Sequence, residues 1–307
     1  MSTLQKMFAQ RIDMVKLLVE STNKSSVLII QQFPVTSETG AKFPKVRESI
    51  SNILAFVELG DIDSLHEVIK MADGFFDNIV LDRDMKLPLS KTLLETAKKS
   101  IKKTSLFFYS DINTWADTAI QFILQKETHL DKERVMLMGE GPLYDILLSR
   151  LHLFGVNIVT DALDPIDVLI GAALKSVSTP DTMLEQLNEK ARLYDVGIGN
   201  FTATLVEAAI AKGHLVFRID MRAGMASVVI HILETDYLIR HMMGQARIKE
   251  VELVAGGVMG RKNAVVIDDI HAPLNILGVA DGMGNFKTVL NEADSVRVNF
   301  VKRLIQG

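Results

Sequence analysis

A chain of 307 residues, 48% of them hydrophobic, is long enough to bury a sizeable core and is expected to fold as more than one domain. A formal net charge of -4, with no arginine-rich stripe, gives no reason to expect a nucleic-acid partner, and the absence of cysteine removes thiolate catalysis, disulfides and cysteine-ligated metals. No uninterrupted apolar stretch reaches bilayer length, and Lys6, Arg11, Asp13 and Lys16 interrupt the first helix, so a cytoplasmic protein with no membrane partner is expected.

Leu4, Phe8, Ile12, Val15 and Leu18 recur at helical spacing and predict an opening amphipathic helix, closed before a strand over 27–31. Residues 33–45 carry Pro34, Gly40 and Pro44 and read as a loop. A helix is predicted over 46–59, and another from Asp63 with Leu65, Val68, Ile69 and Ala72 on its buried side. The apolar run 79–81 predicts a strand whose edge carries Asp82, Asp84, Lys86 and Lys91, with Ser90 as a cap for the helix that follows. A further strand, 106–109, precedes a helix over 115–124 that Ser110 or Asp111 can cap. Residues 1–125 therefore read as an α/β domain without a glycine loop, the expected substrate side.

The next stretch, ERVMLMGEGPLYDILLSRLHLFGVNIVTD, organises the rest of the chain. A strand over 135–138 runs into Gly139-Glu140-Gly141-Pro142, then a helix to Gly155, then a strand over 156–159 that meets Asp161. Strand, glycine turn, helix and strand in this order form half of a dinucleotide-binding unit. Gly139 allows the tight turn, Gly141 lets backbone approach a pyrophosphate, and free amides at the helix start favour negative charge. Pro142 suits a first helical turn, where its missing amide costs nothing. Tyr144 stands where the full fingerprint has a third small residue, and GxG also serves as a plain strand-to-helix turn. Asp161, with no basic residue in 156–164, favours NAD over NADP.

A third strand over 167–170 leads to Gly171-Ala172, where a nucleotide could lie against backbone. A helix is predicted over 182–190, entered through Pro180-Asp181. A strand over 193–196 then reaches a second glycine turn, Gly197-Ile198-Gly199-Asn200, which is either an anion nest or purely structural. A helix to Gly213, a strand over 215–219 and a long helix over 226–243 follow. The alternation predicts a Rossmann-like, doubly wound parallel sheet in a domain over 126–247. The remainder, 248–307, is too apolar for a free tail. It reads as short strands and turns that pack on the core or at a homodimer interface.

Several of these stretches resemble the shikimate dehydrogenase group of two-domain NAD(P)-dependent enzymes. The features are Ile79-Val80-Leu81 with Pro88 and Lys91, Asn113-Thr114 ahead of the glycine loop, Gly139-Glu140-Gly141, and the late set Thr204, Leu205, Ala208, Gly213 and Gly224-Met225. The resemblance implies an oxidoreductase that uses NAD or NADP on a small polar metabolite, with a lysine and an aspartate as catalytic pair. Lys91 with Asp117 or Asp111 fills that role, Lys86 competes for it, and Trp115 stands where the family has its aspartate. Cofactor contacts then fall to Gly139, Glu140, Gly141, Asp161, Gly171, Gly197 and Gly199. Asp268-Asp269-Ile270-His271 is a further reactive cluster, with His271 able to reach a cleft if Asp281 holds it. No metal is expected. Two alternatives stand beside this reading: an S-adenosylmethionine-dependent transferase, with the tail supplying a terminal antiparallel hairpin, and a non-enzymatic Rossmann-like scaffold or sensor, whose glycine turn is expected to be occluded by Tyr144 or by its neighbours.

Overall fold

The computed structural model describes residues 1–33, 40–159, 165–174, 181–197 and 199–306, and the chain divides into two compact units, Met1–Val228 and Val229–Gly307. The first unit opens with α1 (Thr3–Thr22), started by a reciprocal cap between Ser2 and Gln5 and ended by Asn23 in the left-handed region at φ 55°. Then come β1 (Ser25–Gln32), β2 (Ala41–Lys42), β3 (Arg47–Glu48), β4 (Asn52–Leu59), α2 (Ile62–Ala72), β5 (Asn78–Asp82), α3 (Ser90–Ser100) and β6 (Ser105–Tyr109). They form one sheet in the order β2-β4-β1-β5-β6, with β4, β1, β5 and β6 mutually parallel and the short β2 and β3 antiparallel to β4. The helix predicted over 46–59 is thus replaced by β3 and β4. Residues 53–57 are buried throughout, as expected for a strand covered on both faces, and such a run carries no period that separates it from a buried helix. Leu28, Ile30, Ile53, Ala55 and Val57 pack against Leu65, Val68 and Ile69 of α2 and against Phe8 and Val15 of α1.

The connecting helix α4 (Asp111–Lys126) is capped by Ser110, whose hydroxyl accepts from Asn113 N. Its Ala116, Ala119, Ile120 and Ile123 belong to the core of the second lobe. That lobe contains β7 (Val135–Met138), α5 (Pro142–Leu153), β8 (Ile158–Val159), β9 (Ile166–Ala173), β10 (Leu187–Gly197), α6 (Ala203–Ala211) and β11 (Leu215–Ile219). All its strands are parallel, in the order β11-β10-β9-β7-β8. The doubly wound sheet expected from the strand and helix alternation is therefore present, and its direction of progression reverses between β7 and β9. The helix predicted over 182–190 is a short 3-10 turn, Asp181–Gln186, after which Leu187 already pairs with Ile166 of β9. Pairing with β9 at Leu187, resumed at Arg192, draws the chain into the sheet, which local propensity cannot anticipate. Asp161, Ile198, Pro180 and Pro34 lie outside the described residues.

The second unit begins within α7 (Met225–Tyr237), which continues as one wider turn, Leu238–Met242. It contains β12 (Gly244–Ile248), β13 (Val251–Ala255), β14 (Val265–Ile267), β15 (Ile276–Val279) and α8 (Glu292–Gln306). The strands pair with one another in chain order, antiparallel except for β13 with β14. Val301, Phe300 and Ile305 of α8 pack on Val251, Leu253 and Val265. The apolar runs of the tail thus bury themselves in a small sheet of their own. No helix among the described residues is long and apolar enough to cross a membrane.

Candidate functional site

In an open parallel sheet, ligands favour the carboxyl ends of the strands where the winding reverses. In the first lobe that point falls between β1 and β5, and it holds a buried polar cluster. Lys86, in the turn after β5, extends into the protein with its side chain only 4% exposed, and its Nζ lies 2.8 Å from Asp82 Oδ2 and donates to Asp111 Oδ2. Asp111 opens α4, and its other oxygen accepts from Gln31 Nε2 at 3.0 Å and from the Tyr109 hydroxyl at 3.3 Å. Asp82 Oδ1 receives the backbone amide of Asp84 at 2.9 Å. Gln32 fixes the same turn, donating to the carbonyls of Asp82 and Asp84 at 3.1 and 2.7 Å while accepting from Ser90 Oγ. Ser90 therefore locks the turn instead of capping α3, whose N-cap is Leu89 with no side-chain bond.

Charge in this cluster is held against burial. Burial pushes the Asp82 carboxyl up, Lys86 opposes that, and Asp111 adds to it, leaving Asp82 at about 7. Burial alone would lower the Lys86 ammonium, but Asp111 and Asp82 outweigh it and raise its pKa above the ordinary lysine range. Tyr109 is pushed well above its usual value by burial and by the two carboxylates. The group that changes protonation near neutrality is thus Asp82. Lys86 stays an ammonium.

The other residues proposed for the catalytic pair lie elsewhere. Lys91 is exposed on the first turn of α3, and Asp117 faces Arg150 on the surface of α4 and α5. The structure brings Lys86 and Asp111 together and leaves Lys91 and Asp117 apart. His271 belongs to the second unit, where it is exposed and its backbone amide donates to Asp269 at 2.7 Å. The neighbouring carboxylates brace loops: Asp268 accepts from the amides of Asp269, Leu274 and Asn275, which hold it down at about 2, and Asp281 accepts from Met283 and Asn285. Among the described residues no cluster is arranged to hold a metal ion.

Along the carboxyl edge of the second sheet the glycines divide by role. A Cβ on Gly139 would stand 2.3 Å from the carbonyl oxygen of Ala172, and one on Gly197 would stand 2.0 Å from that of Ala173, so both turns press against β9. Gly171, inside β9, makes room for Asn200, whose Cβ would be 2.6 Å away. Gly141 differs: at φ +86° it has nothing within 4 Å of a Cβ, and it is the N-cap of α5, with no side chain on the helix's first amides. Glu140 beside it is exposed. The second turn is filled from within, because Asp195 accepts from the amides of Gly199 and Asn200 and from Asn200 Nδ2. Below the first turn, an apolar pocket of about 640 Å³ is lined by Met138, Tyr144, His152, Val159, Met183 and Gln186, the last with a buried Oε1 lacking a partner among the described residues.

At the opposite end of the sheet, β11 delivers Arg218, Asp220 and Arg222 to the first lobe. Arg47 of β3 reaches Asp220 at 2.8 Å, Arg222 Nε holds the same carboxylate at 2.8 Å, and Gln31 Nε2 touches Met221 Sδ at 3.3 Å. Burial would raise Asp220, but the hydrogen bonds and charge of Arg222, with the charge of Arg47, bring it below the ordinary carboxylate value. Here a cavity of about 210 Å³ is bounded by Gln31, Glu58, Trp115, Arg218, Asp220 and Arg222. Gln31, Asp82, Tyr109 and Arg218 were not singled out by motif. Their only signal in the sequence was position, since each ends or adjoins an apolar run at the carboxyl end of a strand.

The class defined by this architecture is an α/β chain with two successive parallel sheets in its first unit, the second sheet Rossmann-like with a glycine turn at its switch point. No family model matches the chain, and no curated protein matches it. Among solved structures it is similar to the hetero-hexameric glutamate dehydrogenase of Thermus thermophilus, at 10% identity over 70% of this chain and 68% of that one, with a TM-score of 0.39. It is likewise similar to the L-tryptophan dehydrogenase of Nostoc punctiforme (12% identity, 64% and 70% covered, TM-score 0.34). A third similarity is to the catalytic subunit of the aspartate transcarbamoylase of M. jannaschii (11% identity, 70% and 64% covered, TM-score 0.26). None of these three is a shikimate dehydrogenase.

Proposed function

We propose that residues 1–228 form a nicotinamide-dinucleotide-dependent oxidoreductase acting on a small polar metabolite. The observation that carries this reading is the order of features along the carboxyl edge of the second sheet. The apolar pocket lies at β8 and β7, the close-packed Gly139 and then the open Gly141 with its uncapped helix start follow β7, the close-packed Gly171 and Gly197 lie at β9 and β10, and the polar cavity against the first lobe lies at β11. From β8 to β11 this spans four strand spacings, roughly 19 Å at about 4.8 Å each, room for an extended dinucleotide. The residues fit such a group: the apolar pocket suits a heterocycle, and Gly141 offers backbone close approach.

When bound, the cofactor supplies hydride chemistry. The chain's own contribution is positional and electrostatic. Gln31 links the cavity to Asp111, Lys86 fixes the orientation of both carboxylates, and Asp82, pushed up to about 7 by burial, holds or releases the proton near neutral pH. Asp161, which bears on NAD against NADP, lies outside the described residues, so both cofactors belong in the test. Isothermal titration of the full chain with NADH and NADPH should give binding in the micromolar range, and Gly141→Val should abolish it with the circular dichroism unchanged. Absence of binding of either cofactor to the folded protein would overturn the proposal.

Neither alternative draws support from these features. The sheet of the second lobe has no antiparallel hairpin among the described residues, since β12 to β15 pair only with one another. Tyr144 packs toward the core of the lobe and does not cover Gly141.

A further inference from the structure

The four-stranded sheet of the second unit is packed by a helix on one face. Leu253, Val265, Ile267 and Ile276 turn to α8 and meet Val301 and Phe300. On the other face the register sets Arg247 beside Glu252 and Gln245 beside Val254, so the β12 side is mostly polar, as a solvated sheet face should be. The β14 side breaks that rule. Val265, Val266 and Ile267 are apolar in succession, and Val266 pairs with Gly278, over which the Phe286 ring lies so closely that a Cβ on Gly278 would stand 2.9 Å from it. This ring and the loop 256–260 bound an apolar groove of about 190 Å³, with Val266 in its lining and no charged residue. The Asp281 carboxylate is spent inside its own turn, on the amides of Met283 and Asn285.

Met259, Leu277 and Phe286 rim the groove at 67, 53 and 51% exposure, and Met283, next to Gly284 of the same rim, is 78% exposed. These four leave roughly 500 Å² of apolar side chain in water, at about 200 Å² for each when fully exposed. A standard interface buries about 800 Å² per partner, a little over half of it non-polar, so the patch has the apolar area that a stable dimer needs. A two-fold interface presents one patch twice, and knob and hole must then lie side by side on it. Here they do: an unbranched, exposed Met283 adjoins a groove larger than the roughly 150 Å³ that takes a benzene ring. A partner of opposite charge finds nothing in the groove to pair with, whereas a second copy meets no like charge. We infer that a second copy of this chain covers this face about a two-fold axis, each Met283 seated in the other copy's groove. The inference stands apart from the cofactor reading, which rests on residues 1–228.

The test is the mass of the full-length protein by light scattering and sedimentation at micromolar concentration, where about twice the 34.1 kDa of one chain is expected. Met283→Glu puts a charge into each groove and should raise the dimer dissociation constant at least about a hundredfold with the circular dichroism unchanged, while Met283→Leu should keep the dimer. Ile239→Glu, in the exposed turn that continues α7, should leave the mass unaltered. Because the chain has no cysteine, Met283→Cys and Met259→Cys report on the seating itself: mixed and oxidised, they should form a disulfide with each other faster than either does alone. A monomeric parent, a dimer that Met283→Glu leaves intact, or a mixture that cross-links no faster than the single variants would overturn the inference. So would a monomer that sediments with phosphatidylcholine vesicles, which would give the face to lipid.

Discussion

Nζ of Lys86 lies 2.8 Å from Oδ2 of Asp82, with the two side chains 4% and 0% exposed. Because Asp111 holds the same ammonium, one cation is shared by two buried carboxylates, and the cluster retains a net negative charge when all are ionised. Lys86→Met should therefore destabilise the protein by about 3–5 kcal/mol in urea titrations, since it leaves the carboxylates facing each other without a cation. The triple variant Lys86→Met with Asp82→Asn and Asp111→Asn should recover most of that loss. If the single variant is as stable as the parent, the cluster does not carry charge as described.

The Asp82 carboxyl, raised to about 7 in the folded state from an ordinary 3.8, binds its proton more tightly folded than unfolded. The stabilisation linked to that proton is present below the unfolded value and is lost as pH rises through about 7. A carbon-detected NMR titration of the side-chain carboxyl should place its midpoint near neutrality. In Asp111→Asn the midpoint should fall, because a like charge that raises it is gone.

Gly139→Ala and Gly197→Ala should each fail to fold or unfold far more readily, because a Cβ would press on carbonyl oxygens of β9 at 2.3 and 2.0 Å. Gly141→Ala meets no atom and should cost about 1–3 kcal/mol, for a positive-φ extended backbone that glycine alone adopts readily. Thermal denaturation of the three variants distinguishes a packing role from an open one.

Asp195→Ala should cost about 1–3 kcal/mol, because it leaves the amides of the second glycine turn without their acceptor. Hydrogen exchange at Gly199 and Asn200 should accelerate in that variant. Unchanged exchange would mean that the carboxylate does not fill the turn.

Local chemistry made much of this chain readable in advance. The succession of strand, Gly139-Glu140-Gly141, Pro142 at a helix start and a second strand follows from backbone rules that act over a few residues, and the cap at Ser110 belongs to the same scale. The alternation of apolar runs was enough for the class of the second lobe. Tertiary pairing decided the rest. Residues 53–57 became a strand because β1 lies beside them, and the segment from Leu187 did so because β9 offers a partner at Leu187 and again from Arg192 onward. The parallel register of β5 with β6 sets Asp82 opposite Tyr109, and the turns after those strands then carry Lys86 onto Asp111 instead of Lys91 onto Asp117. Gly139 and Gly141 are indistinguishable as letters in a motif. Only the approach of β9 makes one a packing glycine and leaves the other open to a ligand, because steric contact between distant segments has no period in the sequence.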